Sequence, residues 1–146
     1  MNKYIQGIIL LILVVAAIFL IPKKQEQAPP TQVTDQQPQA IPEVIVDTPQ
    51  PNDVIISPVT VTGRARGFWY FEANLPVTLK DGNGNVLAQK GFQAIGDWMT
   101  TDHVDFSDTL IFITPATQYG TLIISKDNPS GEPINDADFV VPIRFW

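Results

Sequence analysis

Leu75-Pro76-Val77-Thr78-Leu79-Lys80-Asp81-Gly82-Asn83-Gly84-Asn85-Val86, residues 75–86, is the stretch that decides the fold class. Leu75, Val77 and Leu79 alternate with Pro76, Thr78 and Lys80. A period of two puts the apolar side chains on one face of an extended strand. Five turn-forming residues follow, and Asn-Gly tolerates the positive φ angles of a tight reversal. The stretch therefore predicts a β-hairpin, with Val86 to Gln93 as the returning strand.

The same rhythm continues on both sides. Val54 to Ile56 and Val59 to Thr62 are short β-branched runs, and Ser57-Pro58 between them suits an edge strand or a kink. Phe68 to Ala73 (FWYFEA) reads as an aromatic extended segment. Trp98 to Phe106, Leu110 to Thr114, Thr121 to Ser125 and Phe139 to Phe145 complete the set. No helical periodicity interrupts them. The fold class is all-β: an immunoglobulin-like β-sandwich of about seven or eight short strands. A small barrel has the same rhythm and stays open as the alternative. The chain has no cysteine, so the disulfide of antibody domains is missing. Trp69 or Trp98 is expected to pack in its place.

Two different segments precede the strands. Ile5 to Ile21 (IQGIILLILVVAAIFLI) carries no charge over seventeen positions. As a helix it would span roughly 26 Å, enough to cross a hydrocarbon core. It reads as a single transmembrane anchor. The rival is a cleaved signal peptide with Val15-Ala16-Ala17 near the cut, but Ile18 to Ile21 extend the apolar run beyond it. Without cysteine, a lipid-modified bacterial N-terminus is excluded. Lys3 lies on one side of the run and Lys23 and Lys24 on the other, so flanking charge hardly orients it. The favoured placement is N-terminus inside and C-terminal domain extracytoplasmic, with secretion after cleavage as the alternative.

Residues 22–50 hold six Pro and seven Gln. Proline favours open polyproline conformations, and so little apolar surface cannot offset the entropy of ordering. They read as a linker with a mean reach of roughly 30 Å. Ile41 to Val46 (IPEVIV) is an apolar island that is either a stray strand pairing with the domain or nothing; it is set aside here as part of that linker. The expected organisation is an anchor over residues 1–21, a linker over 22–50 and a sandwich over 51–146.

Charge and motifs narrow the chemistry. From Pro51 onward there are eleven Asp and Glu against six Lys and Arg, a net of −5. Arg64 and Arg66 alone make no patch for a nucleic-acid backbone, so no nucleic-acid partner is expected. Asp81, Asn83 and Asn85 imitate the first half of a calcium loop. However, Val86 and Phe92 stand where that loop needs its Gly and Glu, so a hairpin turn is the reading. His103 is the only histidine, beside Asp102 and Asp105, and no Ser sits in a nucleophile-elbow pattern. Asp97, Asp102, Asp105 and Asp108 are read as turn carboxylates rather than a hydrolytic pair. No catalytic residue, metal site or cofactor is assigned.

Contact residues are easier to nominate. Phe68, Trp69 and Tyr70 are consecutive, so a strand would send them to opposite faces. The first reading is that both faces are covered inside the sandwich, and the second is that an outward aromatic beside Arg64 or Arg66 makes a contact. The candidate ligand or partner contacts are Trp69, Tyr70, Arg64 and Arg66, with Asn128 and Ser130 from the turn-rich Asn128 to Pro133 (NPSGEP). That stretch reads first as a rigid loop and second as a binding loop.

Several blocks together carry a resemblance. They are Ile56-Ser57-Pro58-Val59 through Gly63-Arg64-Ala65, Trp69 to Ala73, Asp81 to Gly84, Asp97-Trp98-Met99, Lys126 to Pro133 and Pro142 to Phe145. In this order, from Asn52 to Phe145, the chain resembles the immunoglobulin-like domain of bacterial spore germination, found beside GerM-type domains. The resemblance implies an extracytoplasmic β-sandwich that binds or adheres rather than catalyses. It brings no catalytic residue with it. The leading expectation is a membrane-tethered domain contacting a protein of the cell envelope. The alternatives are a cell-wall glycan (peptidoglycan) binding module, a hydrolase using Asp97 or Asp105, and a protease-inhibitor-like module.

Overall fold

Leu75, Val77 and Leu79 point inward from strand β3 (Asn74–Asp81), all fully buried. The hairpin closes as the alternation requires. The backbone N–H of Asp81 donates to the Asn85 carbonyl at 2.9 Å, Gly84 takes φ +85°, and β4 (Val86–Ile95) returns along β3. These coordinates are a computed structural model, which describes residues 41–146. The expected anchor over 1–21, and the linker as far as residue 40, lie outside the described residues. Among the described residues no helix is long and apolar enough to cross a membrane.

Seven strands run antiparallel in one continuous order: β1 (Val44–Thr48), β2 (Val59–Arg66), β5 (His103–Leu110), β4, β3, β6 (Tyr119–Ser125) and β7 (Asp138–Arg144). The long strand β4 joins the two layers. Its first part pairs with β3, and its end, Ala94 and Ile95, pairs with Phe106 and Asp105 of β5. One layer is thus β1-β2-β5 with the end of β4, and the other is β4-β3-β6-β7. This is the division of an immunoglobulin-like sandwich. The chain after β1 crosses to the far edge, where Val54 makes a parallel bridge to Arg144 of β7. Ile55 N–H donates to the Arg144 carbonyl and Arg144 N–H to the Asp53 carbonyl, both at 2.8 Å. The crossing covers part of both outer edges, so the sandwich is nearly a barrel, a form that limits edge-to-edge aggregation.

The core fills the space between the layers. Phe92 of β4 meets Phe106 of β5 edge-on at 6.2 Å, and Phe112 meets Phe145 at 5.7 Å towards the opposite end. These pairs, with Trp69, occupy the interior of a domain that has no disulfide. Trp98 only packs against the rim of that core.

Three expectations are corrected. First, the fold does not begin at residue 51. Val44 and Val46 are core residues on β1, and Val44, Ile45 and Val46 pair with Ala65, Arg64 and Gly63. The apolar island read as linker is an edge strand, because Gly63 lets it approach. A Cβ on Gly63 would run into the Ile45 carbonyl oxygen and come within 2.7 Å of Phe106 Cζ. Second, Phe68 to Ala73 is not a strand. Gly67–Trp69 forms a single 3-10 turn, and Glu72 and Ala73 take positive φ. Third, β5 stops at Leu110, so Leu110 to Thr114 is not a separate strand.

Candidate functional site

The antiparallel order gathers several loops at one end of the sandwich. The start of β1, the β2–β3 loop (residues 67–73), the β4–β5 loop (96–102) and the β6–β7 loop (126–137) all lie there. Backbone hydrogen bonds tie them together. Arg66 N–H donates to the Glu43 carbonyl, Gly67 N–H to the Asp102 carbonyl, Asp127 N–H to the Trp69 carbonyl and Ala94 N–H to the Ala73 carbonyl, each at 2.8–2.9 Å. The described chain enters at this end.

The nominated aromatics face inward. Trp69 is 4% exposed and its Nε1–H donates to Glu43 Oε2 at 3.0 Å. Tyr70 is 3% exposed and its hydroxyl donates to the Val104 carbonyl at 2.8 Å. Burial pushes the Tyr70 hydroxyl well above its ordinary range, with the Ala65 backbone amide opposing the shift and Asp105 adding to it. Both rings anchor the loop end to the core, so neither offers a stacking face to a ligand. A strand would have split them between two faces, and the 3-10 turn does not. The outward aromatic of the three is Phe68, with Lys126 Nζ 5.6 Å from its ring centroid.

The other nominated residues are held by neighbours. Arg64 lies 3.7 Å from the Asp47 carboxylate across β1 and β2, both well exposed. Arg66 donates to the Thr101 carbonyl at 3.1 Å. The Asn128 side-chain amide donates to the Glu132 carbonyl and to Asp136 at 2.7–2.9 Å, and Ser130 Oγ accepts from Glu132 N–H and the Asn135 side chain. This network makes Asn128 to Pro133 the rigid loop its composition suggests. Asn74 links the loop to β3 through Asp127 at 2.7 Å.

Of the carboxylates read as turn residues, Asp81 and Asp97 have turn partners, whereas Asp105 and Asp108 lie within strand β5, because the strand that takes them in begins at His103. Asp81 Oδ1 accepts from the N–H groups of Asn83 and Asn85, and Oδ2 from the Asn85 side chain. The Asn85 side-chain amide, above all, holds the Asp81 carboxyl below its usual range. Asp97 accepts from Met99 N–H, and Asp108 pairs with Lys90 at 2.6 Å across β4 and β5. His103 Nε2 lies 2.8 Å from the Pro42 carbonyl.

Sequence reasoning missed the apolar tips of this end. Ile41, Phe68, Phe71, Ile95, Met99 and Ile134 are all exposed, Ile134 at 92% and Met99 at 77%. Around them stand Glu72, Asp97, Asp102, Glu132 and Asp136, against Arg66 and Lys126. No spacing along the chain marks this set, because its members come from separate segments.

Among known proteins, no curated protein and no solved structure matches the chain. The model of the family described as the immunoglobulin-like domain of bacterial spore germination matches residues 43–132. That span includes β1, which the sequence resemblance placed outside the domain, and stops before β7. With more than half its length matched and the strand order of an immunoglobulin-like sandwich, the chain belongs to the family of immunoglobulin-like domains of bacterial spore germination.

Proposed function

We propose that the chain is a membrane-tethered, extracytoplasmic, non-catalytic binding domain that grips an envelope protein through the loop end. The observation that carries this is the set of exposed apolar tips set among carboxylates. Monomeric proteins seldom leave several large aliphatic side chains together in water, and such clusters mark contact surfaces. The acidic surround selects a partner whose matching face is basic at the rim and apolar at the centre. Aliphatic tips such as Ile134 and Met99 favour a protein over a glycan, which stacks on flat aromatic faces. The apolar run Ile5 to Ile21 supports a tether, and the Pro- and Gln-rich residues after it support a spacer.

Site-specific photo-crosslinking in intact cells tests this reading. A photo-reactive residue replacing Ile134 or Met99 should yield a discrete adduct with another protein. One replacing Val86, in the β3–β4 turn region at the opposite end, should not. Sedimentation of the full chain with purified peptidoglycan, abolished by Phe68→Ala, would overturn the protein-partner reading in favour of glycan. Protease added to intact cells should remove the domain, and its survival there would refute the outward placement.

A further inference from the structure

We propose that the other end of the sandwich pairs with a second copy of this chain, through the exposed backbone edge Ile111–Thr114. The alternation of β5 does not stop where its pairing stops. Leu110 is the last residue paired with β2, opposite Val59. Beyond it Phe112 still points into the core against Phe145, while Ile111 and Ile113 point outward, 77% and 88% exposed. The segment therefore keeps the two-sided character of a strand while lacking a strand neighbour on either flank. On the β2 side it is held only by Phe112 N–H donating to Ser57 Oγ at 2.9 Å. On the other side β4 diverges, leaving an open groove lined by Ala88, Gln89 and Lys90. The backbone N–H groups of Ile111 and Ile113 have no partner among the described residues.

An extended, β-branched, unpaired edge is a template for another strand. Proteins usually guard such edges with charge; the segment itself carries none, and Lys90, which lines the groove beside it, is neutralised by Asp108 at 2.6 Å. Thr109 to Ser125 is seventeen residues without a charged side chain, although the chain from Pro51 onward has a net charge of −5. That distribution argues for a second copy as the occupant. Two copies approaching through their acidic loop ends would repel, whereas here they meet without like-charge contact. Antiparallel pairing about a twofold axis is self-complementary, setting one Ile-Phe-Ile run against its own copy. The loop end remains free for the partner proposed above, so the two surfaces are independent.

The absence of native cysteine makes a clean test possible. In the full chain, expressed in membranes and oxidised, Ile111→Cys or Ile113→Cys should form a disulfide-linked species at twice the monomer mass. Ile134→Cys, as exposed but at the loop end, should not. Adding Ile111→Lys to the Ile113→Cys chain should abolish the dimer band. Both Ile side chains are solvent-facing, so these variants should fold. The proposal is overturned by absence of a dimer at both positions, by equal crosslinking at Ile134→Cys, or by an adduct of another mass. The last result would mean that a different protein occupies the edge. Failure of the loop-end adducts alone would leave this edge standing.

Discussion

Replacing Val44 by Asp tests whether the segment ahead of residue 51 is linker or core. Val44 is 1% exposed on β1 and packs over Ala65 and its neighbours. Removing its side chain from the core costs about 1.5–2 kcal/mol in lost burial. An unpaired carboxylate in the same place adds a desolvation penalty of several kcal/mol, part of which relaxation returns. A total near 4 kcal/mol is a large share of the roughly 5–15 kcal/mol that holds a domain together. For a domain of this size it lowers the melting temperature by about 15 °C or more. Urea unfolding of the full chain in detergent micelles, followed by tryptophan fluorescence, reads this directly because Trp69 is buried. Ile41→Asp, at an exposed position, is the control and should shift stability by no more than about 0.5 kcal/mol. Acid provides a second reading. Burial raises the pKa of the new carboxyl, so its neutral form is the better tolerated. Val44→Asp should regain part of its stability as the pH falls through that raised pKa, and Val44→Asn should not. Equal midpoints for wild type, Val44→Asp and Ile41→Asp would refute the assignment of β1 to the core.

Gly63→Ala should destabilise the fold by about 1–3 kcal/mol, since its Cβ meets the Ile45 carbonyl and the Phe106 ring. Hydrogen exchange should show the amides of β1 freed before those of β3, and uniform protection would contradict the close approach. Tyr70→Phe loses the hydrogen bond to Val104 and should cost about 1 kcal/mol at neutral pH. Its pH dependence has a definite sign. Because the folded-state value of Tyr70 is raised, its contribution is fully present below the ordinary tyrosine value near 10 and falls as the pH climbs above it. The gap between wild type and Tyr70→Phe should therefore narrow above pH 10, and a constant gap would show that the hydroxyl is not desolvated.

The hairpin of β3 and β4 was legible because everything that specifies it is local. Alternation sets the face, and Asp81 with the Asn-Gly residues sets the reversal. The rigid 128–133 loop was legible for the same reason, since its partners lie within a few residues. Strand β1 was not. VIVDT sits between prolines in a Gln-rich stretch, and what makes it a strand is Gly63, far along the chain. FWYFEA misled because aromatic content argues for a strand, while the positive φ of Glu72 and Ala73 leaves no composition signal. The candidate site fared worst. Trp69 and Tyr70 were nominated from their types, and the 3-10 turn drew both inward, leaving Phe68 outside.

By itself, the sequence determined the fold class, the main hairpin and the family. Each is written in periodicity, turn chemistry or composition within short windows. The tertiary structure alone decided where the domain starts, which aromatics are spent on the core, and which apolar tips gather at one end. It also decided that the strand-like run continuing from Leu110, Ile111 to Thr114, finds no strand partner among the described residues. Pairing and burial depend on residues distant in the chain, and a side chain's surroundings exist only once those residues have been brought together.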